Sequence, residues 1–154
     1  MAAGRIRTPF FAALPFAARD GEAKEKRVSD SATEANKRLV LDMWHAVISG
    51  RNLARAGDYI AQDYIQHSPS AGQGLQALVD FLKVELGGDE PRAAGTFERT
   101  KFEFVMAEGD LVQLMFKRPI PDPHRPGETI HVWWYDTYRV KDGLIVEHWD
   151  SAIE

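Results

Sequence analysis

The hydrophobic period of the chain changes once, and this change limits the possible folds more than any other feature of the sequence. In the first part, apolar residues recur at helical spacing, as Leu39, Met43 and Val47 do. Further along, Phe102 and Phe104 belong to a stretch in which apolar and polar residues alternate, which is typical of a half-buried strand. Helices followed by a run of strands predict an α+β domain.

The domain is predicted to span residues 31–154. Ser31 and Glu34 have the spacing of a capping box, so the first helix is expected to start there. Residues 19–30 are charged and poor in apolar side chains, and we interpret them as a linker. Residues 1–18 loosely resemble an export signal, but two prolines interrupt their apolar part. We therefore favour a flexible or partner-docking arm over an exported protein.

The ends of the three predicted helices depend on glycine and asparagine. Gly50 is expected to end the first helix, because glycine accepts the left-handed conformation found past many helix ends. A second, short helix is predicted from the cap Asn52 to Ile60. A third is expected to start at Gly74 and to stop at the next pair of glycines. Between these two helices, residues 61–69 leave the helical pattern and turn at a proline.

Composition excludes several classes of protein. The 154 residues have a formal charge of −4 and no basic stripe, which argues against a nucleic-acid-binding protein. No apolar run approaches the roughly 20 residues that cross a bilayer. The sequence contains no cysteine, so disulfides and thiolate metal sites are excluded. A cysteine-free chain suits the reducing cytoplasm, where we expect this protein unless residues 1–18 act as a signal.

The second half of the chain predicts an antiparallel meander. One strand covers residues 99–106, a second covers residues 111–117, and a long third runs from residue 128 to 140 before a last strand that ends near Asp150. The intervening proline-rich segment, residues 118–127, is expected to be a loop or a projecting flap. A curved sheet that wraps over helices leaves a cavity, and that cavity is where we expect a small molecule to bind.

The last two strands allow two registers. A three-residue loop at residues 141–143 would place Asp136 opposite His148 and Trp134 opposite Asp150. A two-residue turn would shift the register by one and separate these residues. We favour the first register, because apolar residues then fill one end of the face and polar groups the other. In this register Tyr138 shares the same face.

The predicted cluster of Asp136, His148 and Asp150 beneath Trp134 suits acid–base chemistry. A carboxylate beside aromatic rings loses hydration, which suits it to act as a general base. A neighbouring imidazole can orient the carboxylate or stabilise an enolate, and such chemistry needs no metal or cofactor. The alternative is a buried structural pair. His67 is a second candidate, and its spacing from the cluster matches no established metal signature.

Two segments, residues 63–69 and residues 136–150, resemble SnoaL-like members of the nuclear-transport-factor-2-like superfamily. The segments read DYIQHSP and DTYRVKDGLIVEHWD, and the resemblance extends over about residues 31 to 154. It implies a cone in which three amino-terminal helices pack in a curved antiparallel sheet. It also implies a homodimer formed through the open face of that sheet.

The superfamily includes polyketide cyclases, ketosteroid isomerases and epoxide hydrolases. The aspartate that opens the Asp-x-Tyr/Phe-Arg motif is the acid–base residue of the cyclases, so the resemblance implies this role for Asp136. The further histidine of the cyclase pattern has no counterpart, since Gln113 or Met115 lies in that region. The arginine of the epoxide-hydrolase pattern is replaced by Trp134.

These observations lead to three hypotheses. The first is a cofactor-free and metal-free aldol-type cyclase or isomerase acting on a small hydrophobic or carbonyl-containing molecule. The second is a non-catalytic ligand-binding or dimeric interaction domain, and the third is an accessory protein whose arm docks a partner. In the first, the candidate catalytic residues are Asp136, His148 and His67, and the candidate substrate-binding residues are Tyr64, Trp134, Tyr138 and Asp150.

Overall fold

The computed structural model describes residues 19–151, with side chains from Asp30 onwards. Most of the predicted arm, residues 1–18, therefore lies outside the described residues, together with the export-signal alternative. Within the described part, no helix is both long and apolar enough to cross a membrane.

The first helix is longer than the sequence pattern indicated. Helix α1 spans Arg19–Met43 and continues as a π-helix over Trp44–Ser49. The prediction of a linker at residues 19–30 was wrong, and Ser31 lies inside the helix instead of capping it. The physical reason is that alanine, glutamate, lysine and arginine, which dominate this stretch, are strong helix formers even without an apolar face.

Gly50 ends the helical segment, but not through a left-handed conformation. Its φ of −80° is right-handed, and the next residue, Arg51, adopts the positive φ of 52°. Glycine is needed at position 50 because a Cβ atom would lie 2.7 Å from the carbonyl oxygen of Ala46 and 2.9 Å from the ring of Phe97. The predicted second helix is a short 3₁₀ segment over Leu53–Asp58.

A strand occupies the region where the sequence pattern indicated only a turn. Strand β1 spans Ile60–Gln66, and its alternation of buried and exposed residues begins only in its second half. Helix α2 follows over Gly74–Glu85 and confirms the third predicted helix. Gly87 and Gly88, both with positive φ, stop that helix as expected.

In the described chain, five strands form one sheet in the order β1-β5-β4-β3-β2. Strand β1 runs parallel to β5 and the other pairs are antiparallel, so the sheet is mixed where an antiparallel sheet was predicted. The α+β class is confirmed. The carboxyl-terminal strands have the following bounds: β2 Phe104–Glu108, β3 Leu111–Pro121, β4 Thr129–Lys141 and β5 Leu144–Asp150.

Strand β3 takes in the first four residues of the segment predicted as a proline-rich flap, residues 118–121, whereas residues 122–127 form a loop as predicted. Pro119 pairs with His131 and Pro121 pairs with Thr129 across the β3–β4 ladder. The amide of the next residue, Asp122, donates to the carbonyl oxygen of Glu128, the residue before β4, so by alternation the two prolines direct their nitrogen atoms away from β4. Strand β2 ends before this point, so both prolines sit on an open edge, where no hydrogen bond is lost.

The core lies between the helices and the inner face of the sheet. Helix α1 packs against β2 and β3, and α2 packs against β1. The largest fully buried side chains are Leu114, Ile145, Val40, Val47 and Val112. The remaining inner-face side chains do not fill the space enclosed by the two helices and the sheet, and that space becomes the cavity described next.

Candidate functional site

A cavity of about 590 Å³ opens between the helices and the inner face of the sheet. Its volume is in the range of small-molecule sites in proteins. Apolar and aromatic side chains supply most of the wall, among them Trp44, Ile48, Leu78, Phe81, Leu82 and Phe116. Polar residues from β1, β4 and β5 line another part of it. The candidate residues Tyr64, Trp134, Asp136, Tyr138, His148 and Asp150 all border this cavity.

The β4–β5 hairpin that carries most of these residues has a two-residue turn. Lys141 pairs with Leu144, and both turn residues, Asp142 and Gly143, have positive φ values of 52° and 77°. These values are typical of a type I′ turn, which Asp-Gly favours. The predicted three-residue loop was therefore wrong.

A β-bulge restores the face that the turn alone would have broken up. Val140 pairs with Ile145 but Arg139 pairs with Glu147, so Val146 is an extra residue in β5. Beyond the bulge, Asp136 lies opposite Asp150. The shorter turn and the bulge each shift the register by one residue relative to the prediction. Together they shift it by two, so even-numbered residues of both strands lie on the same face.

The predicted cluster is thus confirmed although its pairing was wrong. Asp136 and His148 are 5% and 7% exposed, and His148 Nε2 lies 3.1 Å from Asp136 Oδ1. Trp134 Nε1 donates to the same oxygen at 3.3 Å. One ligand atom from each of Asp136, His148 and Asp150 lies within 4.8 Å of the others. Because both hydrogen bonds of Asp136 end on Oδ1, its Oδ2 is available to a bound molecule.

Gln66 fixes the tautomer of His148, and no pattern in the sequence indicated this role. The backbone amide of Ser68 donates to Gln66 Oε1 at 3.0 Å, which identifies this atom as the side-chain oxygen. His148 Nδ1 lies 3.0 Å from the same oxygen and must therefore carry a hydrogen. In neutral His148 the other nitrogen, Nε2, is an acceptor and faces an acceptor oxygen of Asp136. A proton shared by Asp136 and His148 would turn this contact into a hydrogen bond.

His67 does not join the cluster. Its ring stacks on Trp149 with the centroids 4.9 Å apart, and its Nε2 lies 2.8 Å from Glu147 Oε1 on the outer face of the sheet. The reason is alternation along the chain, since the preceding residue, Gln66, points inward beside His148. The placement of His67 in the predicted catalytic set was wrong, because residues 61–69 were not identified as a strand.

Two buried tyrosines complete the polar wall. Trp44 Nε1 donates to the Tyr138 hydroxyl at 2.9 Å, and the Tyr138 ring stacks on His148. Gln66 Nε2 donates to the Tyr64 hydroxyl at 3.3 Å, which leaves the hydroxyl hydrogen of Tyr64 free to donate. Burial, and then the charge of Asp136, raises the pKa of both phenols above the ordinary value. Both hydroxyls therefore remain protonated donors at neutral pH.

Asp150 brings a second carboxylate to the cluster. Its Oδ1 is buried and has no hydrogen-bond partner within the described part of the chain. Together with Asp136 and His148 it forms the one group of described residues whose ligand atoms could hold a metal ion. Imidazole and carboxylate are a common ligand set for divalent cations, so the donor types fit. A proton shared between these groups is the other way to offset their negative charge.

The model of the SnoaL-like domain family matches residues 41–148, which is more than half of the chain. This range contains the cavity-lining parts of α1, β1, α2, β3 and β4 and ends at His148. No curated protein sequence matches the chain.

Several solved structures share the fold. A putative polyketide cyclase from Acidithiobacillus ferrooxidans is 18% identical, has a TM-score of 0.55 and aligns over 75% of this chain and 86% of its own. An epoxide hydrolase of the LEH-like type from M. tuberculosis is 17% identical, with a TM-score of 0.55 and coverage of 77% and 83%. An NTF2-like protein of unknown function from Burkholderia pseudomallei is 15% identical, with a TM-score of 0.57 and coverage of 77% and 91%. At these identities the similarity establishes the fold, and it agrees with the expected cone.

Proposed function

The chain belongs to the SnoaL-like domain family, and on that premise we propose that it binds a small, largely apolar carbonyl compound and moves a proton next to the carbonyl without a cofactor. One observation carries this proposal. Asp136 is a buried carboxylate on the wall of a mostly apolar cavity, and only one of its two oxygens has a hydrogen-bond partner among the described residues. Such a carboxylate is poorly hydrated and is positioned to accept a proton.

The proposed step begins when Asp136 Oδ2 takes a proton from the carbon next to the carbonyl. The electrons of the broken C–H bond form the C=C bond of an enolate, and the negative charge moves to the carbonyl oxygen. The Tyr64 hydroxyl donates a hydrogen bond to this oxygen, since its own hydrogen is not used by Gln66. His148, held by Gln66, keeps the shared proton on the Asp136 side of its ring.

The enolate can then react in two ways that balance. In an isomerisation, protonated Asp136 returns the proton to a different carbon. In an aldol closure, the enolate carbon attacks a second carbonyl carbon, and Asp136 returns the proton to the new alkoxide. Both outcomes use the same base and the same oxyanion donor, so one test covers both.

The test follows hydrogen–deuterium exchange at the activated carbon of 2-tetralone, a bicyclic ketone of suitable size, by proton NMR in D₂O. Asp136→Asn should slow the protein-dependent exchange by about 100-fold or more, because general-base catalysis contributes 10²–10⁴-fold. Asp122→Asn is the matched control. Asp122 is also a buried aspartate, but it binds His124 and Arg125 in the β3–β4 turn, outside the cavity wall. Equal exchange in wild type and Asp136→Asn would contradict the proposal.

A binding protein without catalysis is the second candidate, and the mostly apolar cavity wall favours it. It would be supported if 2-tetralone bound the wild-type protein without any faster exchange. The exchange should also survive dialysis against EDTA. Its loss on dialysis and its recovery with a divalent cation would instead assign Asp136, His148 and Asp150 to a metal site.

The homodimer remains a proposal supported by the outer face of the sheet. Its exposed large apolar side chains are Ile65, Phe104, Met106, Trp133 and Tyr135. Phe104 and Trp133 also contact each other, with ring centroids 6.5 Å apart. A second copy of the chain would cover these apolar side chains. Sedimentation equilibrium should show a dimer in the wild type and a monomer for Trp133→Glu, and a monomeric wild type would contradict the proposal.

A further inference from the structure

Arg118 stands out in the wall of the cavity. Among the described side chains that line it, no other is a lysine or an arginine. The Arg118 side chain is 44% exposed, whereas the side chains of Asp136 and His148 are 7% and 9% exposed. The cavity therefore has a buried acidic part and a solvent-facing part that carries a positive charge.

The Arg118 guanidinium contacts Trp134 and Glu85, but its N–H groups have no hydrogen-bond acceptor among the described residues. Its central carbon lies 4.5 Å from the ring centroid of Trp134, within the range of a cation–π contact. Its ion-pair partner is Glu85, with 3.6 Å between nitrogen and oxygen, and the carboxylate is 45% exposed. This distance is too long for a hydrogen bond, and Arg118 makes no hydrogen bond to any described residue. The N–H groups of the guanidinium are thus available to a ligand.

Trp134 connects the two parts of the cavity. One face of its indole carries Arg118, and its Nε1 donates to Asp136 Oδ1. A planar molecule lying along this indole would have one end near the Asp136 carboxylate and the other near the guanidinium. The charges of Asp136 and Asp150 repel an anionic group from the buried part, so an anion is directed to Arg118.

We propose that Arg118 binds a carboxylate of the substrate, so that the substrate class is an apolar carbonyl compound carrying a carboxylate at the end remote from the reacting carbon. The assignment of the reacting end rests on the proposed function, whereas the anion site does not. Arginine suits this role because its planar fork can bind both carboxylate oxygens. Glu85 is the carboxylate that competes with the ligand for Arg118, and the ligand carboxylate displaces it.

The experiment compares two isosteric probes, 2-naphthoate and 2-naphthamide, by titration calorimetry at neutral pH. The wild type should bind the carboxylate about tenfold more tightly, which is the order expected for a charge-assisted hydrogen-bond pair in a half-exposed site. Arg118→Met retains the apolar stem of the side chain and should abolish the preference. Glu85→Gln removes the competing carboxylate and should strengthen naphthoate binding about twofold to threefold.

Arg139→Met is the matched control. It removes the same charge from the same sheet, but Arg139 lies on the outer face, where it pairs with Asp110 and Glu147. Its preference for naphthoate should equal that of the wild type. Equal binding of the two probes to the wild type, no binding of naphthoate at millimolar concentration, or an unchanged preference in Arg118→Met would overturn the inference.

Because these measurements involve no turnover, their outcome is independent of the exchange test on Asp136. A lost preference in Arg118→Met together with unaffected exchange in Asp136→Asn would support the anion site and reject the enolisation. The reverse pair of results would reject the anion site and leave the enolisation supported.

Discussion

Two histidine–carboxylate pairs lie on opposite faces of the sheet, and they differ in their exposure to solvent. The inner pair joins His148 to Asp136 at 3.1 Å, and the outer pair joins His67 to Glu147 at 2.8 Å. The outer contact is the shorter one. Its side chains are nevertheless 43% and 19% exposed, whereas those of the inner pair are 9% and 7% exposed. Each histidine also stacks on an aromatic ring, so stacking does not distinguish the pairs.

The difference between the pairs comes from their surroundings. The hydrogen bond from His67 and the charge of Arg139 lower the pKa of Glu147, which keeps this group ionised and makes it a weak base. Among the described residues Asp136 has no arginine or lysine partner, and its neighbours are Trp134, Tyr138 and His148. The inner pair is thus the one suited to acid–base chemistry, because it is buried and borders a cavity. The distance between the partners does not distinguish the two pairs.

The largest expected effect is on the free energy of unfolding, which a substitution in the inner pair should lower more than one in the outer pair. His148→Leu leaves the buried Asp136 carboxylate without its partner and should lower the free energy of unfolding by about 3–5 kcal/mol. Both variants lose the stacking of the histidine on an aromatic ring. Apart from that loss, His67→Leu breaks a solvated pair and should lower the free energy of unfolding by less than about 1 kcal/mol. Urea denaturation followed by circular dichroism measures both.

A double variant provides the control for this comparison. His148→Leu combined with Asp136→Leu removes the Asp136 carboxylate that His148→Leu leaves without its partner, so it should be more stable than His148→Leu alone. Equal losses in the two single histidine variants would show that burial does not distinguish the pairs, and the comparison would then fail.

The sequence predicted the fold class and the face of the site, because both depend on local periodicity. The change from helical to alternating spacing is a property of neighbouring residues, and it identified the α+β class correctly. Alternate residues of a strand lie on the same face, and this rule placed Asp136, His148 and Asp150 together. The two errors in that hairpin, a turn one residue too long and a missing bulge at Val146, cancelled in their effect on the face.

The features that could not be predicted depend on contacts between distant segments. Strand β1 is a strand because it pairs in parallel with β5, a partner more than 70 residues away, with Gln66 beside His148. Its own alternation is too short to identify it, so His67 was assigned to the wrong face and Gln66 was not considered. The bulge in β5 is likewise defined only by its pairing with β4.

The next prediction concerns the ionisation of the two buried tyrosines of the inner face, Tyr64 and Tyr138, at alkaline pH. Burial raises the pKa of Tyr64 and Tyr138 in the folded protein above the unfolded value of about 10. Their contribution to stability is therefore complete below pH 10 and is lost as the pH rises further, because only the unfolded chain ionises them. Phenolate absorbance at 295 nm should include these two residues only when the protein unfolds.

The variants Tyr64→Phe and Tyr138→Phe assign this late absorbance change. Each should remove part of the amplitude that accompanies alkaline unfolding and none of the amplitude that precedes it. Loss of amplitude from the early phase would mean that the substituted tyrosine is accessible to hydroxide in the folded protein, contrary to its burial beside Asp136.

The smallest effect is expected on the outer face at acid pH. The hydrogen bond from His67, followed by the charge of Arg139, lowers the pKa of Glu147 below its ordinary value of 4.5. The pair therefore stabilises the fold above pH 4.5 and stops doing so as the pH falls through the lowered value. Because the pair is solvated, this contribution should be at most about 1 kcal/mol. Urea denaturation of wild type and Glu147→Gln should differ at pH 6 and converge towards pH 3, and a difference that persists at pH 3 would show that the Glu147 carboxylate acts through packing and not through its charge.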